Sequence, residues 1–276
     1  HRDKLDALLD DTANPDFDSL VLPLEDMEHE LSRVWSPVSH LQGVLGSPEW
    51  REAYNAALPI LTEYGTELSQ NVQLQQAYAR VESDLPADAS EARRKTVANA
   101  LRDFHLAGVD LPEQEKQRFR EIMQSLAAIQ ADFDHNIQDS SDAWALPVDD
   151  AAELHGLTPQ VLQRAAAEAQ QRGRDGWLLT LDYPPYHADR PHAENRGLRE
   201  TFYHGWVTRA SDQGANAEWD NSDNIEKILA LRHEAANLVG FDNYAEYSLA
   251  TKMAESPGQV IGFLRDLAAH CRSAAG

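Results

Sequence analysis

Two stretches come close to a zinc-binding pattern, and both stop one residue short of it. In H-E-x-x-H on a helix, histidines at i and i+4 share a face and can hold one zinc ion, while the Glu between them serves as general base. Here His233-Glu234-Ala235-Ala236-Asn237 has Asn at the second ligand position, and His29-Glu30-Leu31-Ser32-Arg33 has Arg there. Neither replacement is a competent zinc ligand, so both read as ordinary helical His-Glu pairs. His187 and His192, five apart across a proline, read as solvated loop histidines. The single cysteine, Cys271, has no activating neighbour; beside Leu267 on a helix it is expected to be buried packing. There is no G-x-G-x-x-G, P-loop or G-x-S-x-G pattern. No catalytic residue and no metal ligand is therefore expected within the chain.

The remaining candidate is a polar loop, Ser211 to Asn221, eleven residues rich in Gly, Asn and Asp. Asp212, Gln213, Gly214, Asn216, Trp219, Asp220 and Asn221 form an unusual set for a linker. Two readings stay open. The Asp and Asn side chains can cap the adjoining helix termini, with Trp219 anchoring the loop, or the same groups can touch a ligand.

The elements that must position this loop are helices. Leu198, Phe202 and Val207 mark a helix from Arg196 to Thr208, and Ile225, Ile228, Leu229, Arg232, Ala236 and Val239 step at three or four along the next. Gly240 stops that second helix, and Asp242 is expected to open a short one. Upstream, Phe119, Ile122, Leu126, Ile129, Phe133 and Ile137 form a continuous stripe in a helix opened by Leu111-Pro112-Glu113. That helix should be roughly 40 Å long at 1.5 Å per residue. Ser47-Pro48 starts another helix, Trp35-Ser36-Pro37 is expected to interrupt or kink one, and Asp88 with Glu91 suggests a capping box. Trp144–Val148 and Trp177–Tyr183 are short β-compatible runs expected to pair, separated by a helix that Thr158-Pro159 caps. Ser256-Pro257 caps a last helix, with Val260, Phe263 or Leu264, Leu267 and Cys271 expected to face inward. The fold class is all-α: a multi-helix bundle with a long central helix and a small two-stranded β element. An N-terminal helical bundle over residues 1–142 is expected, followed by a region over 143–276, continuous with the first, that holds the β element and further helices.

Composition narrows the partners. Basic residues number 24 against 46 acidic, a formal charge of −22, which argues against nucleic acid, whose phosphates want clustered Lys and Arg. A hydrophobic content of 42% supports a real core. No apolar run approaches the roughly 20 residues of a membrane span, so no membrane partner is expected. One cysteine excludes an internal disulfide and favours a reducing compartment. The chain opens without an initiator Met and closes without a terminal signal, so a piece of a longer polypeptide is expected.

Four stretches carry a resemblance. RASDQGANAEWDNS (Arg209–Ser222) and EKILALRHEAANLVGFDNYAEYSLATKMAESP (Glu226–Pro257) resemble the thimet oligopeptidase family of zinc metallopeptidases, its bacterial oligopeptidase A branch above all. VWSPVSHLQGVLGSPEWREAYNAALPILTEY (Val34–Tyr64) and NALRDFHLAGVDLP (Asn99–Pro112) agree with it, collinearly from about Leu31 onward. The resemblance implies an all-helical cytoplasmic peptidase that cuts short unstructured peptides in a deep channel. Its zinc motif lies downstream of the matched region, so zinc would be bound outside this chain. Residues 1–276 would then be the N-terminal, non-catalytic portion, one wall of the channel, with short peptides and the catalytic half as partners and the 211–221 loop as the part contacting peptide. The alternative from another class is an acidic all-helical scaffold or adaptor without enzymatic activity.

Overall fold

Capping side chains and prolines decide where the helices of this protein begin. A computed structural model describes residues 1–11, 14–45, 47–181, 193–214 and 217–275. Among them are eleven α-helices and one two-stranded antiparallel sheet. In chain order the helices begin with α1 (Arg2–Asp11), a π-helical turn (Phe17–Val21), α2 (Leu22–Leu45), α3 (Pro48–Ser69), α4 (Val72–Asp84), α5 (Glu91–Leu106) and α6 (Glu113–Ala143). Strand β1 (Ala145–Val148), α7 (Pro159–Gln171), β2 (Trp177–Thr180) and α8 (Arg196–Val207) follow. The chain ends in α9 (Ser222–Leu238), α10 (Tyr244–Leu249) and α11 (Pro257–Ala275). Ser47, Thr158 and Asn195 accept from backbone N–H groups of the first turns of α3, α7 and α8, satisfying donors that a helix start leaves unpaired.

Two compact units make up the chain, residues 1–128 with 228–276, and residues 129–227. In the first, the π-turn supplies Leu20 and Val21 to a core completed by Leu74 and Val81 of α4 and Val97 and Phe104 of α5. Tyr78 meets the Phe104 ring edge-on at 5.5 Å. Burying side chains of this size contributes about 1.5–3 kcal/mol each relative to exposure. In the second unit, β1 and β2 pair with Leu146 opposite Leu179 and Val148 opposite Trp177. Val148, Leu179, Ala165 of α7, and Leu198 and Phe202 of α8 share its core.

Several expectations are corrected. Helix α2 is not interrupted at Trp35-Ser36-Pro37 but runs through Pro37 to Leu45. An internal proline removes one hydrogen bond; here Trp35 stacks on Tyr54 at 5.1 Å and the Trp50 indole donates to Val38 O at 3.3 Å. Packing on α3 thus carries α2 through the defect. The cap of α5 is Ser90, which accepts from Arg93 N, and not Asp88. Asn243 rather than Asp242 caps α10, accepting from Glu246 N. On α8 Val207 is exposed, and on α9 so are Ile225 and Leu229; Ile228, Ala235 and Ala236 form the buried face. Helix α11 does not turn its apolar residues inward: Phe263 is 65% and Leu264 54% exposed, with Ile261 and Leu267 close behind. Cys271 is exposed as well. Periodicity places these side chains on one face but cannot supply a surface to cover them. Of its expected stripe the long helix buries Phe119, Ile122 and Leu126, while Ile129, Phe133 and Ile137 are half-buried. Asp182, Tyr183, Tyr186, His187 and His192 lie outside the described residues.

One ion pair links α6 to α9 inside the first unit. Arg118 Nε donates to Glu234 Oε1 at 2.6 Å, and Nη2 to Oε2 at 2.8 Å, a two-pronged fork. The hydrogen bond from Arg118 holds the Glu234 carboxyl below the usual glutamate range, against a smaller opposing effect of burial. Both side chains are over two-fifths exposed, so solvent screens the pair. A carboxyl with a depressed pKa contributes stability above its ordinary range and loses it as pH falls through the lowered value. Arg118→Gln should therefore raise the Glu234 pKa toward that of a free glutamate and flatten the acid limb of the stability curve. Titration of the Glu234 carboxyl by NMR checks this; an unchanged pKa would show that the fork does not form in solution.

Candidate functional site

Glu234 and its neighbours are engaged in structure. Besides the Glu234–Arg118 fork, Asn237 Nδ2 donates to His233 O at 2.7 Å, one turn back on the same helix. Among the described residues no three His, Cys, Asp or Glu side chains gather where they could hold a metal ion.

The polar loop is built differently. After α8, Ala210 takes a left-handed conformation with φ of 47°, one of low population for a residue with a Cβ. Two bonds hold it there. Its N–H donates to Ser140 Oγ on α6 at 3.1 Å, and its carbonyl accepts from Asn221 N at 3.0 Å. The loop thus closes on itself at Ala210 and Asn221. Asn221 is 1% exposed. Its Nδ2 donates to Phe133 O on α6 at 3.0 Å, while its Oδ1 accepts from Asn136 Nδ2 and Asn224 Nδ2, each at 2.9 Å. Asp220 accepts from the backbone N and hydroxyl of Ser222, at 3.0 and 2.7 Å, where α9 starts.

The start of the loop turns tightly. Ser211 Oγ donates to Thr208 O, and Gly214 N to Ser211 O, both at 2.9 Å. A Cβ on Gly214 would lie 2.8 Å from Thr208 O, so glycine is required for this close approach. A second close approach lies on α8, where a Cβ on Gly205 would stand 2.5 Å from Trp144 Nε1. These contacts frame a cleft of about 310 Å³ within the second unit. Ser140, Ala143 and Trp144 line it from the end of α6, His204, Gly205, Thr208 and Arg209 from α8 and its exit, and Gln213, Gly214 and Trp219 from the loop. The Arg209 guanidinium lies 3.4 Å from the centre of the Trp206 ring, and its Nε donates to Trp206 O at 3.0 Å.

Of the loop residues singled out by sequence, Gln213, Gly214 and Trp219 converge on the cleft. Asp212 is exposed and accepts from Gln213 Nε2 at 3.1 Å. Asp220 and Asn221 turn toward the protein, and Asn216 lies outside the described residues. Trp144, His204 and Arg209 carry no such signal in the sequence: Trp144 falls in a β-compatible run, His204 inside the helix expected over Arg196 to Thr208, and Arg209 just past its end. The available signal was Gly205, an isolated glycine inside a helical pattern, which marks a close approach.

Comparison with known proteins accounts for this architecture. A family model described as "Neurolysin/Thimet oligopeptidase, N-terminal domain" matches residues 2–117, and one described as "Peptidase family M3" matches residues 191–275. By these matches the chain belongs to the thimet oligopeptidase family. Within it, oligopeptidase A of Escherichia coli is 45% identical over 98% of this chain, and that of Salmonella typhimurium 46% over 93%. A "Probable cytosolic oligopeptidase A" of Arabidopsis thaliana is 34% identical over 89% of it. The chain is homologous to the N-terminal part of these proteins, spanning 40%, 38% and 36% of their lengths.

Two substitutions test the site's construction. Asn221→Ala removes a buried amide with three side-chain hydrogen bonds and should cost about 2–3 kcal/mol in urea unfolding. Gly205→Ala drives a methyl into the Trp144 indole and should cost about 1–3 kcal/mol, with a shift in tryptophan emission; an unshifted spectrum and unchanged stability would contradict the packing described.

Proposed function

We propose that this chain is the N-terminal, non-catalytic part of a zinc-dependent oligopeptidase that hydrolyses short unstructured peptides in the cytoplasm. The observation that carries the reading is the collinear identity of about 45% with oligopeptidase A over nearly the whole chain. The zinc ion and its chemistry lie elsewhere in the polypeptide on this reading. His233 and Glu234 do not suit it, since Glu234 is spent on Arg118 and Asn237 on a backbone carbonyl. The role of this chain is to form one wall of the substrate channel. A folded domain of about 100 residues, with a gyration radius near 13 Å, cannot thread a narrow channel, whereas a flexible peptide can. The loop carrying Asp212, Gln213, Gly214, Asn216, Trp219, Asp220 and Asn221 is proposed to lie beside the peptide. The exposed apolar face of α11 supports a further part of the polypeptide as partner, because a patch of this kind on a lone domain invites association. The cytoplasmic location follows the relative whose name says cytosolic.

The test compares two proteins. The full-length polypeptide should cleave a fluorogenic short peptide in a chelator-sensitive way, while residues 1–276 alone should bind no stoichiometric zinc and cleave nothing. Chelator-sensitive cleavage by residues 1–276 would overturn the division of labour. An inactive full-length polypeptide would favour the scaffold alternative.

A further inference from the structure

The hairpin of α2 and α3 is anchored at its base. There Arg2 of α1 pairs with Glu63 and Glu67 of α3, and Lys4 with Glu30 of α2. Leu24, Met27, Tyr64 and Thr66 are buried at the same end. Between Met27 and Tyr64 the one described residue that is buried is Gln42. Residues 38–45 and 47–58 contribute nothing to the apolar core of the unit. They project from it as an arm of two paired helices.

Each helix of the hairpin carries a proline in its interior, Pro37 in α2 and Pro59 in α3. Proline has no N–H, so the carbonyls of Arg33 and Asn55 lose the donor four residues on, and a helix bends readily at such a point. Both prolines are exposed, so water can serve the freed carbonyls as the helix flexes. The two defects lie at one height. Trp35 falls inside the Arg33–Pro37 turn, Tyr54 directly precedes the Asn55–Pro59 turn, and the two rings stack at 5.1 Å. An intact neighbour would splint a single broken turn, but here neither helix is intact at that level. On either side the helices are tied together: the Trp50 indole donates to Val38 O at 3.3 Å above, and the Tyr64 hydroxyl to Glu28 Oε1 at 3.4 Å below.

We propose that the arm pivots as one body on a hinge made of the Arg33–Pro37 and Asn55–Pro59 turns, with the Trp35–Tyr54 stack as its pin. The sparse burial beyond the prolines gives the arm little to hold it in one orientation. From Pro37 to Leu45 it extends about 12 Å at 1.5 Å per residue, so the exposed Val44 and Leu45 near the tip travel farthest. A hinge of a few residues thus moves an apolar tip without unpacking the core beneath it.

Residual dipolar couplings of the backbone amides in the whole chain test this, because hinge motion on the microsecond to millisecond scale averages the orientation of the moving part. Couplings from α4 and α5 define the alignment of the core. Those of the arm should fit helical geometry with an alignment of their own, weaker than the core's by about a third or more. Pro37→Ala together with Pro59→Ala restores both donors and should bring the arm onto the alignment of the core. Trp35→Ala should weaken the alignment of the arm further; no change there would overturn the stack as the pin. A single alignment fitting arm and core in the unaltered chain overturns the pivot. Arm couplings that fit no helix overturn the single body, since the arm would then be frayed. An arm that keeps its separate alignment in the double alanine variant overturns the assignment of the hinge to the prolines. The comparison of arm with core uses the unaltered chain, so a variant that fails to fold leaves the test intact.

Discussion

The buried amide of Asn221 is the interaction on which the loop depends. Its side chain reaches a backbone carbonyl of α6, accepts from an asparagine on that helix and another on α9, and its own N–H closes the loop onto Ala210. A primary amide has two donors and two acceptor sites, and few other side chains could serve three partners in a space closed to water. Burial makes the arrangement demanding, since a polar group left unpaired there would cost more than the bond contributes. The left-handed backbone at Ala210 is tolerated because both of its polar groups are engaged at this closure.

From this anchor the loop divides its work. Asp220 and Asn221 attend to the helices, Ser211 and Gly214 make the tight turn, and Gln213 and Trp219 are left to face the cleft. A loop rich in Asn, Asp and Gly can do both because its short polar side chains bond to nearby backbone in place of a helix or strand ladder. Among the described residues that line the cleft none is acidic, and Asp212 and Asp220 bond to their neighbours Gln213 and Ser222.

Helix α6 shows the same economy. Its N-terminal half buries Phe119, Ile122 and Leu126, and Arg118 forks to Glu234 from the same half. Its C-terminal half gives Phe133, Asn136 and Ser140 to the loop, ending at the indole of Trp144. Exposed apolar residues lie on other helices, among them Val34, Val44 and Leu45 of α2 and Ile261, Phe263, Leu264 and Leu267 of α11. Burial among the described residues therefore leaves part of the apolar periodicity of both helices uncovered.

The amino-acid sequence by itself determined the all-helical class, the length and stripe of α6, the pairing of two short strands, and the starts of α3, α7 and α8. These follow from local rules: periodicity, a hydroxyl or amide before the first turn, and a proline at its start. Its resemblance to the oligopeptidases was legible too, because long collinear agreement needs no structure. Other features were decided only in three dimensions. Trp35 on Tyr54 carries α2 past Pro37, Glu234 finds Arg118 from 116 residues away, and Cys271 is exposed because no described element covers it. The cleft belongs to this second group. Trp144, His204 and Arg209 meet Trp219 only after chain closure, and no spacing along a sequence encodes which residues a tertiary contact will bring together.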